Sequence, residues 1–158
     1  MIFVGAFFFI SCEKSAEPTG EFISTNPDGW NYDETLIFNE ECDTLVDTDF
    51  YSQNLAEAPS LKNALLSVTH TYDYPYANLW LEIAYLSADS VMTDTFNITL
   101  SDKYGKWLGS GSGPVVTRAD TIRFRHNPNI NSQFRLRHIM RLDALADIEK
   151  VGLTFLTQ

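Results

Sequence analysis

Apolar and polar residues alternate with period 2 through most of the chain after residue 60. Such alternation sets one face of an extended strand on a core and the other in water. In residues 61–72, Leu66, Val68, His70 and Tyr72 share one face, and Leu65, Ser67, Thr69 and Thr71 share the other. In 78–86, Leu79, Leu81, Ile83 and Tyr85 oppose Trp80, Glu82 and Ala84. In 90–100, Met92, Phe96, Ile98 and Leu100 oppose Val91, Thr93, Thr95, Asn97 and Thr99. Shorter runs at 35–39, 106–109, 115–125, 133–141 and 148–156 extend the series. Turn chemistry separates them: Asp73-Tyr74-Pro75-Tyr76, Asp102-Lys103-Tyr104-Gly105 and His126-Asn127-Pro128-Asn129 all break a ladder. The stretch Gly109-Ser110-Gly111-Ser112-Gly113-Pro114 reads as a flexible hairpin connection, 43–60 as a long acidic loop or an irregular edge, and 142–147 as one helical turn at most. Short strands at this spacing predict an all-β chain. The expected architecture is a single antiparallel β-sandwich of about seven to eight strands over residues 26–158, immunoglobulin-like or jelly-roll-like.

The first ten residues break the pattern, running Met-Ile-Phe-Val-Gly-Ala-Phe-Phe-Phe-Ile without a charge. That run is too short to cross a bilayer about 30 Å thick as a helix, and it matches the apolar core of a secretory signal. Ser11 and Cys12 follow, a small residue and then a thiol. Their order resembles a bacterial lipoprotein signal, which implies cleavage before Cys12 and diacylation of its sulfur. The basic segment usual ahead of the apolar run is missing, as expected where translation starts further upstream. Residues 1–11 are thus assigned to a signal peptide and 12–25 to a tether leaving lipidated Cys12. Glu13-Lys14 after the cysteine favours outer-membrane retention. With Cys12 acylated, Cys42 has no intramolecular partner, and its neighbours Glu40, Glu41 and Asp43 disfavour a reactive thiolate.

Charge and composition narrow the function classes. Eleven basic against 21 acidic residues leave a net charge of −10, which argues against binding nucleic acid. A hydrophobic fraction of 44% with 13% aromatics is too high for a disordered acidic chain. Residues 109–113 fail the nucleophile-elbow pattern, because Gly111 stands where serine is required, and Pro114 stands where a phosphate loop needs lysine. The histidines His70, His126 and His138 have no metal-ligand spacing. Glu40, Glu41, Asp43, Asp47 and Asp49 are clustered but lack a calcium-loop register. No catalytic residue, metal site or cofactor is expected. The stronger lead is aromatic: Tyr72, Tyr74, Tyr76, Trp80, Tyr104 and Trp107 gather around two strands and their loops. Tyr74, Tyr76, Trp80 and Trp107 are the candidates for contacting a partner or ordering the loops. Arg118, Arg123, Arg125, Arg135, Arg137 and Arg141 crowd the C-terminal third. They predict either one basic sheet face for an acidic partner or a solvated face paired with the domain's own acids.

The segment Asp73-Tyr74-Pro75-Tyr76-Ala77-Asn78-Leu79-Trp80-Leu81 resembles the Asp-Tyr-Pro-Tyr-x-Asn-Leu-x-Leu segment of the GldH-type gliding-motility lipoproteins. Gly105-Lys106-Trp107-Leu108-Gly109-Ser110-Gly111 resembles their Gly-x-Trp-Leu-Gly-x-Gly segment. Pro27-Asp28-Gly29-Trp30, Met140-Arg141 and Val151-Gly152-Leu153 fit in the same order. The resemblance implies a lipid-anchored envelope component of gliding bacteria, linked to the motility and protein-secretion machinery, with no enzymatic activity. Its partners would be the membrane, through the anchor, and other envelope proteins. A carbohydrate-binding β-sandwich using exposed tryptophans is the alternative, and a glycosidase the more distant one.

Overall fold

The computed structural model describes residues 21–25, 28–39, 62–129 and 132–156. These form eleven strands and no helix among the described residues. In chain order they are β1 (Glu21–Ser24), β2 (Trp30–Asn31), β3 (Leu36–Asn39), β4 (Asn63–Thr71), β5 (Asn78–Ser87) and β6 (Ser90–Thr99), followed by β7 (Ser110–Ser112), β8 (Val115–Arg123), β9 (Gln133–His138), β10 (Ala144–Leu145) and β11 (Ile148–Leu156). A five-stranded sheet runs β1-β11-β4-β8-β7, and a four-stranded sheet runs β3-β9-β5-β6. β2 and β10 make a two-residue ladder of their own, and every pairing is antiparallel.

The register shows why alternation produces a sandwich. Leu66 of β4 lies opposite Leu153 of β11, and Val68 opposite Val151, so the apolar sets of neighbouring strands share one face. In the other sheet Leu79 pairs with Ile98, Ile83 with Leu136, and Phe38 with Phe134. The two apolar faces meet in one buried cluster. One end is filled by rings: Tyr85 and Phe124 centre 4.8 Å apart, and Phe134 and Phe155 4.3 Å. Beside them Asp94 is buried, accepting the Tyr85 hydroxyl at 2.8 Å and the Arg125 amide at 2.8 Å, with the Arg125 guanidinium at 2.9 Å. Burial first, and then this hydrogen bond to Asp94, push the Tyr85 hydroxyl up to about 12.

Four sequence expectations change. Glu21–Ser24, assigned to the tether, pairs with Lys150–Leu153 and gives the five-stranded sheet an edge. The glycine-rich stretch is no free connection, because Ser110–Ser112 is a ladder on β8. Glycine is needed there: a Cβ on Gly109 would fall 2.2 Å from the Thr117 carbonyl oxygen, and one on Gly111 2.7 Å from that of Val115. The run 106–109 forms only a bridge, Trp107 to Ser101. Residues 142–147 form β10 and a tight turn, with Asp147 at φ 67°, rather than a helical turn. The acidic stretch 43–60, Cys12 and Cys42 lie outside the described residues.

The arginines do not share a face. Arg118 and Arg123 sit on β8 of one sheet, Arg135 and Arg137 on β9 of the other. Three are paired within the domain: Arg118 with Asp120, Arg125 with Asp94 and Arg137 with Glu82. Separation of β8 from β9 by strand order divides what the linear sequence groups together.

Candidate functional site

The chain crosses from the five-stranded to the four-stranded sheet through residues 72–77, between β4 and β5. Thr71 pins the start of this crossing. Its hydroxyl donates to the Asp147 carboxylate at 2.9 Å and accepts the Asp73 amide at 3.2 Å. The Ala77 carbonyl ties the far side by accepting the amides of Leu100 and Ser101 at 2.8 and 3.1 Å. A second loop follows β6, where the Asp102 carboxylate accepts the amides of Tyr104 and Lys106 at 2.8 and 2.9 Å. Gly105, at φ 81°, completes that turn.

These two loops bring three of the four aromatic candidates together. Tyr74 is 2% exposed, and its hydroxyl donates to the Asn78 carbonyl at 3.1 Å. Its ring lies 5.6 Å from Tyr76 and 6.4 Å from Trp107. His70, fully buried on β4, joins them, with its ring 4.5 Å from Trp107 in edge contact and 5.6 Å from Tyr74. The geometry makes His70 Nδ1 the donor to the Thr71 carbonyl at 2.8 Å and leaves Nε2 among the rings with no protein partner. Burial, with the neighbouring Tyr76 second, holds the Tyr74 hydroxyl far above its ordinary range. Chemically this cluster is a ring-packed lid between the two sheets, closed to solvent at its centre, where His70 and Tyr74 are buried.

Trp80 stands apart from the other three. It lies on the outer face of the four-stranded sheet and is 43% exposed. Asn97 lies across from it on β6, and the Asn78 side-chain amide donates to Asn97 Oδ1 at 2.9 Å. The next outward position on β5 is Glu82, whose carboxylate accepts Arg137 at 2.7 Å from both Nε and Nη2. The Arg137 guanidinium also sits 5.7 Å from the centre of the Tyr32 ring, itself exposed. Ile37 and Arg135, opposite each other on β3 and β9, extend the same face. The surface therefore combines exposed rings, an amide pair and a held guanidinium, groups suited to contact rather than to bond-making.

Tyr32, Arg137 and His138 carry no motif, and their association was hidden from sequence reasoning. The available signal was the alternation in 133–138, which puts Arg135 and Arg137 on one face. Joining that face to Trp80 requires the β5–β9 pairing. His138 is wholly buried below it, with Nε2 2.9 Å from the Trp30 carbonyl and its ring edge-on to Trp30 and Tyr32. Burial lowers its pKa below the usual 6.5, so Nε2 donates as part of a neutral imidazole. Among the described residues no group of three His, Cys, Asp or Glu side chains is placed to hold a metal ion.

No relative of the chain is found among curated proteins. The profile described as GldH lipoprotein matches residues 19–155. That span contains both segments of the resemblance, the aromatic lid and the outer face. Matched over nearly its whole length, the chain belongs to the GldH lipoprotein family, the gliding-motility-associated, lipid-anchored proteins of the cell envelope.

Proposed function

We propose that this lipoprotein is a non-catalytic structural or adaptor part of the gliding machinery and of the secretion apparatus linked to it. The lipid on Cys12 holds it at the outer membrane. The observation that carries this reading is the division of labour among its aromatics. Tyr74, Tyr76 and Trp107 order the loops that cap the sandwich, and Trp80 with Tyr32, Ile37 and Arg135 gives an envelope partner a face to bind. Indole and guanidinium groups at the centre of such a face supply most of the energy of protein contacts.

Two measurements test the reading. Fatty-acid labelling of cells should mark the wild-type protein and miss Cys12→Ala; an unlabelled wild type removes the anchor at Cys12. Trp80→Ala combined with Arg135→Glu should abolish colony spreading while the protein remains folded, lipidated and abundant. Unimpaired spreading by that variant defeats the adaptor role of this face.

A carbohydrate-binding role has one observation in its favour, the exposed Trp80 indole beside the Asn78–Asn97 amide pair. Stacking on a ring with amides bonding hydroxyls is how sugars are held. Titration of tryptophan fluorescence with a panel of envelope glycans distinguishes the readings. A saturable change that disappears in Trp80→Ala favours the sugar, and an unchanged spectrum favours the protein partner.

A further inference from the structure

The four-stranded sheet ends on β6, and this edge differs from every other edge in the described structure. β1 and β3 are four residues long and β7 is three, each too short to template a long ladder. β8 continues past β7 but carries Arg118, Asp120 and Arg123. β6 has ten residues, no proline, no lysine or arginine, and a register with β5 unbroken from Ser90 to Thr99. Folded proteins usually blunt such an edge with a charge, a bulge or a proline.

Which backbone groups face the edge follows from the hairpin. Ser87 and Ser90 close a two-residue turn and must exchange both hydrogen bonds. Residues 92, 94, 96 and 98 therefore bond β5 in the same way. Val91, Thr93, Thr95, Asn97 and Thr99 turn their N–H and C=O groups outward. The amide of Ile139, donating to the Trp80 carbonyl at 3.0 Å, agrees with this phase, because Trp80 lies opposite Asn97 and bonds towards β9. Among the described residues no backbone bond to another element satisfies those five outward positions. The single acid of the strand, Asp94, points inward and is held by Tyr85 and Arg125, so it does not guard the edge.

We propose that β6 is a dimerisation edge, on which a second copy of this chain adds its own β6 antiparallel about a two-fold axis. The two four-stranded sheets would then form one continuous eight-stranded sheet. The strand is complementary to itself. Centred on Thr95, self-pairing sets Thr95 against Thr95, Thr93 against Asn97 and Val91 against Thr99. Every one of these positions offers a donor and an acceptor, and none of their side chains is charged. On the inner face the same register sets Met92 against Ile98. A net charge of −10 on each chain opposes association at long range. That repulsion is screened beyond about 8 Å at physiological salt, and the one charged side chain of the strand, Asp94, which this register sets against Phe96, is buried and already paired with the Arg125 guanidinium. Anchoring both copies in one membrane raises their effective concentration further.

The test is the protein mass of the full chain in detergent, measured by light scattering with the detergent contribution subtracted, over a dilution series. Wild type should have twice the chain mass at the concentrated end and dissociate on dilution. Thr95→Pro removes the central outward N–H and should be monomeric throughout. Thr95→Lys keeps every backbone group, places two ammonium groups against each other at the axis, and should also be monomeric with an unchanged circular dichroism spectrum. The lysine variant carries the test if the proline variant fails to fold. A monomeric wild type overturns the proposal, and with it any reading that spends this edge on self-pairing rather than on a strand from another protein. A dimer that survives Thr95→Lys overturns it equally, by placing the interface elsewhere.

Discussion

The aromatic lid and the outer face use the same residue types for opposite purposes. In the lid, Tyr74, Tyr76 and Trp107 close on His70, and the tyrosine hydroxyl is consumed by the loop it belongs to. On the outer face Trp80 and Tyr32 are left in solvent beside groups that can still bond. Trp80 follows Tyr74 by six positions in sequence, yet one stabilises the domain and the other is available to a partner. An aromatic motif thus does not announce a binding site. Its members divide between loops that fold over the core, which hold Tyr74, Tyr76 and Trp107, and an outward position on β5, which holds Trp80.

The contrast breaks most visibly at Tyr74. Tyr74→Ala should cost about 3–4 kcal/mol of unfolding free energy, the range for emptying a large buried aromatic site. Tyr74→Phe should cost about 1 kcal/mol by deleting only the bond to the Asn78 carbonyl. Urea denaturation measures both, and a loss below about 1 kcal/mol for the alanine variant would mean that the lid is not part of the core. Next comes Asp94→Asn, expected to cost about 2 kcal/mol, because one amide cannot serve Tyr85, the Arg125 amide and the Arg125 guanidinium together.

His138 offers a smaller, pH-dependent effect. Burial holds its folded pKa below 6.5, so the unfolded chain takes up that proton more readily. The stability tied to the neutral ring is complete above about pH 6.5. It is lost as pH falls from there towards the folded pKa, where the loss levels off. His138→Gln keeps a donor for the Trp30 carbonyl and should flatten the decline that sets in below about pH 6.5. Equal slopes in the two proteins would assign the acid sensitivity to other groups. The smallest effect belongs to the outer face: Trp80→Ala should change stability by no more than about 0.5 kcal/mol. A larger loss there would erase the distinction between the two regions.

The long strands were legible because their alternation is strong. β4, β5 and β6 lie within a residue or two of the expected runs, and Leu79, Leu81, Ile83 and Tyr85 are buried as the pattern requires. Short ladders leave no comparable signal. Two residues, Trp30 and Asn31, cannot display a period, and Glu21–Ser24 is held by β11 rather than by any pattern of its own. At Gly109 and Gly111 the glycines reflect close approach to β8, a tertiary fact that looks like flexibility in a linear reading. Of the aromatic candidates, the types were readable and the exposures were not. Tyr72, placed on the core face of its strand by alternation, lies just past β4 in the turn and is 54% exposed. The arginine grouping failed for the related reason that neighbours in sequence, β8 and β9, are not neighbours in a sheet.

The short first strand also sets a length. Measured from Cys12, the residue proposed to carry the lipid, the chain enters the five-stranded sheet at Glu21, nine steps later (21 − 12). A fully stretched chain advances at most about 3.3–3.6 Å per residue, so that stretch reaches about 30 Å and no further. Ending the leash at residue 25 instead would add roughly 14 Å. By pairing with β11, β1 keeps the edge of the five-stranded sheet at Glu21 within that distance of the lipid that Cys12 is proposed to carry.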